Sequence, residues 1–444
     1  VPKTGREQGP SKADGTQPEI IEQRSGDLYL TGRRSDFVVQ GDLEIGGMIS
    51  PLSVVTMPAG LRWGIRLRAA LASASTSLAR LTFVSDSIGL GQFSSNWLLY
   101  GWVNLVRRVL QNLYGDGGSG YIGHANADTG FGGSQVTTTG AWTAVDNEGG
   151  INRQQYKPTT PGNQATITLP FRGTTLRIFY RAAPAGFGTW DYKIDNGSFV
   201  SYSMTAADAI TYKEVTGIAA GDHTVTIRAT TGDGRFLGIS AFNATGVVVD
   251  NMSFPSTFVT QLSTATTGPA PTDTAEDTMA WHTIKTATAP THCVVLSLGA
   301  ADVLLDLDDS TFEPATWDSM GVFYNACTNA GPSAAAPPDL IIVAEHVGQA
   351  DTLAGFSQYE RDWINEHALL RQAATVLGAP FVDVWADGER SWGVWNALNY
   401  WATGPDTVHP NNAGHRRYAQ LVLEVILWRV KTPNEIAALI AAVS

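Results

Sequence analysis

Residues 81–91 read Leu-Thr-Phe-Val-Ser-Asp-Ser-Ile-Gly-Leu-Gly, and this stretch restricts the fold more than any other in the chain. Leu81 to Val84 suit a buried strand and Ser85-Asp86-Ser87 interrupts it. Trp97, Leu98, Trp102, Leu105, Val106, Val109, Leu110 and Leu113 then recur at helical three- and four-residue steps. Strand, tight turn and helix in succession lift a small side chain clear of a parallel sheet. They set it beside a helix N-terminus, where backbone N–H groups have no intrahelical acceptor. A serine placed there is either a nucleophile or simply the helix cap.

Near the other end stands Asp406-Thr-Val-His409-Pro410, followed by a helical run from Asn411 to Leu421. Together the two segments resemble the SGNH (GDSL-type) esterase family. Its first block is a Gly-Asp-Ser turn after the first strand, and its last is Asp-x-x-His-Pro before the final helix. Here Ser85 replaces the leading glycine, while the last block matches in full. The resemblance implies a flavodoxin-like three-layer α/β/α parallel sheet and acyl-transfer chemistry. Ser87 would be the nucleophile, His409 the base that takes its proton, and Asp406 the carboxylate that fixes the imidazole tautomer. It also implies oxyanion donors on the backbone of Ser87 and of Ser256, the latter standing where the family has glycine. The third block, Gly299-Ala-Ala-Asp302, departs from the family's Gly-x-Asn-Asp: Ala301 replaces an asparagine whose amide binds the oxyanion. Loss of one such donor lowers a rate by about 10²- to 10³-fold. Asp86 and Asp302 are expected in structural hydrogen bonds rather than in proton transfer.

Apolar runs at 246–249, 293–298, 340–344 and 380–385 supply further buried strands, and Tyr359 to Leu377 an amphipathic helix. Between the first helix and residue 246 the grammar changes to short alternating runs, at 165–169, 175–181, 189–195, 198–202, 223–229 and 236–242. Turns such as Asp195-Asn-Gly197 separate them. That pattern predicts an inserted antiparallel β-sandwich. Tyr192-Lys-Ile-Asp-Asn-Gly197 and Ala220-Gly-Asp-His-Thr-Val-Thr-Ile227 resemble turns of galactose-binding-like jelly rolls found as carbohydrate-binding modules. Trp190 and Tyr202 are candidates for stacking on a sugar ring; the alternative for both is sandwich core. The expected organisation is an N-terminal arm at 1–80, a hydrolase domain at 81–134 and 246–444, and the sandwich at 135–245.

The 444 residues exceed one ordinary domain, and a net charge of -12 points away from nucleic acid and from anionic membranes as partners. Two cysteines, Cys293 and Cys327, make no disulfide framework and read as core thiols. The reading requires no cofactor and no metal, since no two histidines have ligand spacing on one element. Residues 1–25 are polar, without the apolar core of a signal peptide, and the runs at 27–32 and 37–47 are strands too short to stand alone. The arm is therefore expected to engage another copy or a larger assembly. With the inserted sandwich it looks similar to phage minor tail proteins. Two functions follow: an esterase trimming an acylated cell-surface glycan from a phage tail, or a catalytically weak tail protein that binds a glycan receptor. The expected location is the virion, with a secreted bacterial protein as the alternative.

Overall fold

The computed structural model describes residues 20–24, 27–31, 55–56, 63–123, 136–146, 154–182, 187–206, 209–255, 291–299, 338–346, 356–387, 392–402, 408–428 and 430–444. The chain divides between Met48 and Ile49 into two units. In the first, β1 (Ile20–Arg24) and β2 (Asp27–Thr31) form an antiparallel hairpin. The expected strand at 37–47 lies outside the described residues.

The second unit begins well before residue 80, so the expected arm is shorter than the sequence pattern suggested. Strand β3 (Val55–Thr56) closes one edge of the main sheet, and helix α1 (Ile65–Ala72) buries Leu67, Ala70 and Leu71 against it. Trp63 donates its indole N–H to the Leu340 carbonyl at 2.9 Å, and the Leu67 N–H reaches the Asp339 carboxylate at 2.8 Å. A two-residue strand leaves no periodicity to read, which is why this segment reads as part of the arm.

The chain then runs through β4 (Leu78–Ser85), α2 (Ser87–Leu90), α3 (Trp97–Tyr100) and α4 (Trp102–Tyr114). Gly101 separates the last two helices, and a Cβ there would lie 2.6 Å from the Trp97 carbonyl and 3.1 Å from the Gly91 backbone. Only glycine lets those two backbones approach.

Next come β5 (Gly120–Gly123), β6 (Thr137–Thr139), β7 (Trp142–Asp146), β8 (Gln154–Pro158), β9 (Thr166–Arg172) and β10 (Thr175–Ala182). They are followed by β11 (Thr189–Ile194), β12 (Val200–Ser203), β13 (Ala209–Thr216), β14 (Asp222–Ala229) and β15 (Arg235–Phe242). These build two antiparallel sheets, one ordered β13-β10-β15-β8-β7 with β5 also on β15, the other β12-β11-β14-β9-β6. Their inner faces bury Ile167, Leu169, Ile178, Val225, Ile227 and Ile239. The extra β domain thus recruits Gly120–Gly123, upstream of the expected start at 135.

Strands β16 (Gly246–Asn251), β17 (Cys293–Leu298), β18 (Asp339–Ala344) and β19 (Phe381–Asp383) complete the main sheet. Helix α5 (Phe356–Leu377) precedes β19; α6 (Val384–Asp387), α7 (Trp392–Ala397), α8 (Asn412–Ile426) and α9 (Pro433–Val443) follow it. The order is β16-β4-β17-β18-β19-β3, parallel except for β3. Side chains alternate across it: Leu81, Phe83, Val295, Ile341 and Val382 face α1, α4, α8 and α9. Val84, Val294, Leu296, Ile342 and Phe381 face α5 and the sandwich residues Tyr121, Phe179 and Leu237. Each fully buried side chain of this kind contributes about 1.5–3 kcal/mol. Cys293 is a buried thiol of this core, as expected, and Cys327 lies outside the described residues. No helix among the described residues is long and apolar enough to cross a membrane.

Candidate active site

In an open parallel sheet the crevice forms beyond the strand C-termini where the strand order reverses. Here that point is between β4 and β17, and β4 ends at Ser85. The cap of the following turn is Asp86: its carboxylate accepts the Ile88 N–H at 2.7 Å. Neither serine is the cap. Ser85, fully buried, donates its hydroxyl to the Glu345 carboxylate at 3.1 Å, and Ser297 on β17 donates to the same oxygen at 2.7 Å. Ser87 is the first helical residue, half-buried at the mouth of the crevice. Its N–H opens the helix and has no acceptor among the described residues. Gly89 is required one turn on, since a Cβ there would lie 2.2 Å from Ser85 and 2.6 Å from the Ser253 hydroxyl.

The histidine arrives from the far end of the chain. His409 Nε2 lies 2.8 Å from Ser87 Oγ across 322 residues of sequence. Its loop is pinned by Asn411, whose amide donates to the carbonyls of Asn399 and Trp401, both at 2.7 Å. The Asn411 side-chain oxygen caps α8 through the N–H groups of Ala413 and Gly414. Asn412 then grips Ser95 twice, accepting its N–H at 2.9 Å and donating to its hydroxyl at 2.8 Å. Serine turn and histidine loop are therefore tied together by bonds other than their own. One turn into α8, His415 is fully buried with Nε2 3.2 Å from the Gln92 carbonyl. Burial pulls its pKa down to about 4, with the nearby His409 adding to the effect.

Several residues here carry no sequence signal of their own. Glu345, at the end of β18, receives both serine hydroxyls. His367 of α5 reaches the Glu345 carbonyl through Nε2 and the Asp383 carboxylate through Nδ1, each at 3.1 Å. Burial would raise the Asp383 pKa. His367, the Ala386 N–H and Arg371 outweigh it and hold that carboxyl well below the usual range. Phe93 stacks on His409, and no spacing rule would have found it.

Of the expected site residues, the structure brings Ser87 and His409 into hydrogen-bond contact. Asp406, Ser256 and Ala301, with Asp302, lie outside the described residues. The sugar-stacking candidates need correction: Trp190 is 0% and Tyr202 8% exposed, and both belong to the sandwich core. Among the described residues no group of three or more His, Cys, Asp or Glu side chains is arranged to hold a metal ion.

No family model matches the sequence, and no curated protein matches it. Solved structures do. The chain is similar to a structure of a peptidoglycan O-acetylesterase at a TM-score of 0.58 and 17% identity, covering 88% of this chain and 99% of that one. Two lesser likenesses are to carbohydrate esterases. One is a Corynascus thermopiles (Myceliophthora fergusii) family 2 enzyme with a carbohydrate-binding domain, at a TM-score of 0.28, 15% identity, and 65% and 98% coverage. The other is a family two enzyme from Clostridium thermocellum in complex with cellohexaose, at 0.27, 13%, and 66% and 99%. The first likeness shows the fold alone, a parallel α/β sheet flanked by helices with an additional antiparallel β domain. The other two are too distant to add to it.

Proposed function

We propose that the protein is a serine esterase that removes acyl groups from a cell-surface glycan, acting as part of a phage tail. The observation that carries the reading is the 2.8 Å contact between Ser87 Oγ and His409 Nε2 at the switch point of the sheet. With Nε2 unprotonated, His409 accepts the hydroxyl proton as Ser87 Oγ bonds to the ester carbonyl carbon. The carbonyl oxygen becomes an oxyanion beside the Ser87 N–H. Collapse breaks the ester C–O bond, and the leaving alcohol takes the proton from His409. Water then repeats the sequence on the acyl-serine and releases the acid. Asp406, three residues before His409, has the spacing to accept from Nδ1 and fix the tautomer.

The glycan as substrate is supported by the named activity of the structural neighbour, a peptidoglycan O-acetylesterase. The tail assignment is supported by the separate N-terminal unit, whose described part is a hairpin of two five-residue strands. A second reading, a glycan-binding tail protein with little turnover, is favoured by Ala301 in place of the asparagine donor. The test is hydrolysis of p-nitrophenyl acetate and of an O-acetylated glycan by the full chain. Ser87→Ala and His409→Ala should each remove nearly all turnover, and Asp406→Asn should leave more than either. Turnover at the unmodified rate in Ser87→Ala would show the nucleophile to be misassigned.

A further inference from the structure

A cleft of about 380 Å³ lies between the outer face of α4 and the ends of the sandwich strands β9 and β14. We propose that it binds a saccharide bearing a carboxylate, a second subsite for the glycan of the esterase reading on which this inference rests.

The charges in the cleft are unevenly matched. Arg172 pairs with both carboxylates of the lining, Asp116 and Asp222, each at 3.3 Å. Asp116 also accepts the Gly118 N–H at 2.9 Å. Arg107 and Arg108 lack such a partner: one donates to the Ser119 carbonyl at 2.8 Å, the other to the Leu99 carbonyl at 3.2 Å. Among the described residues neither guanidinium has a carboxylate within ion-pair distance. Burial lowers the Arg107 pKa to about 10, with the more distant Asp116 only partly offsetting it. On the rim, His223 points both ring nitrogens at acceptors, the Asp195 carboxylate at 2.8 Å and the Ala219 carbonyl at 2.9 Å, which favours its protonated form. A partly desolvated cation is ordinarily paired. In a chain of net charge -12, two adjacent arginines left facing a cleft call for an external anion.

Size and walls select the class of anion. The volume suits one or two sugar rings rather than a lone phosphate. Leu98 and Leu99 give an apolar shelf for the C–H face of a ring, with Arg107 and Arg108 on the same side to clamp a carboxylate in the bidentate manner of guanidinium. That shelf is α3, which starts two residues after Ser95, the residue Asn412 holds beside the histidine loop.

The experiment is calorimetric titration of the full chain carrying Ser87→Ala with three probes: a glucuronate-containing disaccharide, neutral cellobiose and inorganic phosphate. The acidic disaccharide should bind, cellobiose at least tenfold more weakly, and added NaCl should weaken only the former. Arg107→Met and, on the more exposed side, Arg108→Gln should each raise the Kd at least tenfold, with unfolding midpoints confirming that the variants fold. Equal binding by the arginine variants, or cellobiose binding as well as the acidic sugar, overturns the proposal. Phosphate binding that matches and displaces the disaccharide reduces the cleft to a simple anion site and overturns it too. Acidic-sugar binding without ester turnover by the unmodified chain would defeat the esterase reading alone. Turnover without sugar binding would defeat the subsite alone.

Discussion

The ring of Phe93 lies on that of His409, centroids 5.1 Å apart and planes inclined by only 19°. Phe93 is 43% exposed and holds a backbone φ of +63°, a region bulky side chains seldom occupy. Such strain costs about 1–3 kcal/mol and persists only where the surroundings enforce it. The stack orients the imidazole toward Ser87, and it is worth about 0.5–1.5 kcal/mol. Phe93→Ala should therefore lower kcat on a short acyl ester by roughly three- to tenfold. Phe93→Tyr should keep most of the rate. Phe93→Gly should relieve the backbone, raising the unfolding midpoint while lowering kcat. An unchanged kcat in both Phe93→Ala and Phe93→Gly would remove the positioning role.

A buried ion pair joins two neighbouring strands of the main sheet. Arg80 on β4 meets Asp250 on β16 at 2.6 Å, with the two side chains 2% and 0% exposed. Ser240 on β15 donates to the same carboxylate at 3.3 Å, and the Arg80 guanidinium lies 4.9 Å from the Phe242 ring of the sandwich. Removing one member strands the other in a dry interior. Asp250→Ala should cost about 3–5 kcal/mol in denaturant unfolding, and adding Arg80→Met should recover part of the loss. A loss below about 1 kcal/mol would mean that the guanidinium finds water or another acceptor.

What could be read from sequence divides along physical lines. Buried parallel strands announce themselves as apolar runs, so β4, β16, β17, β18 and β19 fall where expected, although the run expected to reach residue 385 turns helical at Val384. Ser87 and His409 were legible because each sits in a short local motif; that they touch is a property of the fold. Strand β13 escaped because Ile210-Thr-Tyr-Lys-Glu-Val-Thr216 carries little apolar alternation, and its place is set by pairing with β10 and by the packing of Ile210 and Val215. Gly120–Gly123 reads as loop because its partner, β15, lies more than a hundred residues away. Trp190 and Tyr202 show why an aromatic residue in a strand cannot be assigned from sequence alone. The pleat decides which face it takes, and here both rings enter the core. Phe93 and His415 take their roles from a dihedral angle and from a neighbour on another segment, neither of which a linear pattern records.

His415 gives the fold a defined weakness in acid. Its imidazole is buried and neutral, with a folded pKa of about 4 against the ordinary 6.5. The unfolded state therefore binds more protons than the folded one between those values, and stability must rise with pH across that window. Lowering the pH from 6.5 to 4 should cost roughly 3 kcal/mol from this residue alone. His415→Gln keeps a donor for the Gln92 carbonyl without a titrating group, so its stability should fall less over the same range. Equal slopes for the two proteins, by urea unfolding at several pH values, would show that His415 is not the group responsible. In the proposed mechanism, keeping His415 neutral also spares His409 a second cation as it takes the serine proton.

The last prediction concerns the oxyanion. Ser297 is in register with Ser85, so the chain leaving β17 after Leu298 departs beside the Ser85–Ser87 turn. Ala301, three residues further, lies outside the described residues, and in the family that its motifs resemble this position donates a side-chain amide. An alanine has no donor to offer. If the Ser87 N–H and a neighbouring backbone donor carry the oxyanion by themselves, Ala301→Asn should raise kcat on a short-chain acyl ester, by at most about 10²-fold. KM should change little, because the added bond forms chiefly to the charge that develops in the transition state. A fall in kcat would mean that another group already fills the position and the asparagine crowds it. Absence of turnover in both proteins would favour the glycan-binding reading. Rate and KM measured side by side on the two proteins separate these outcomes.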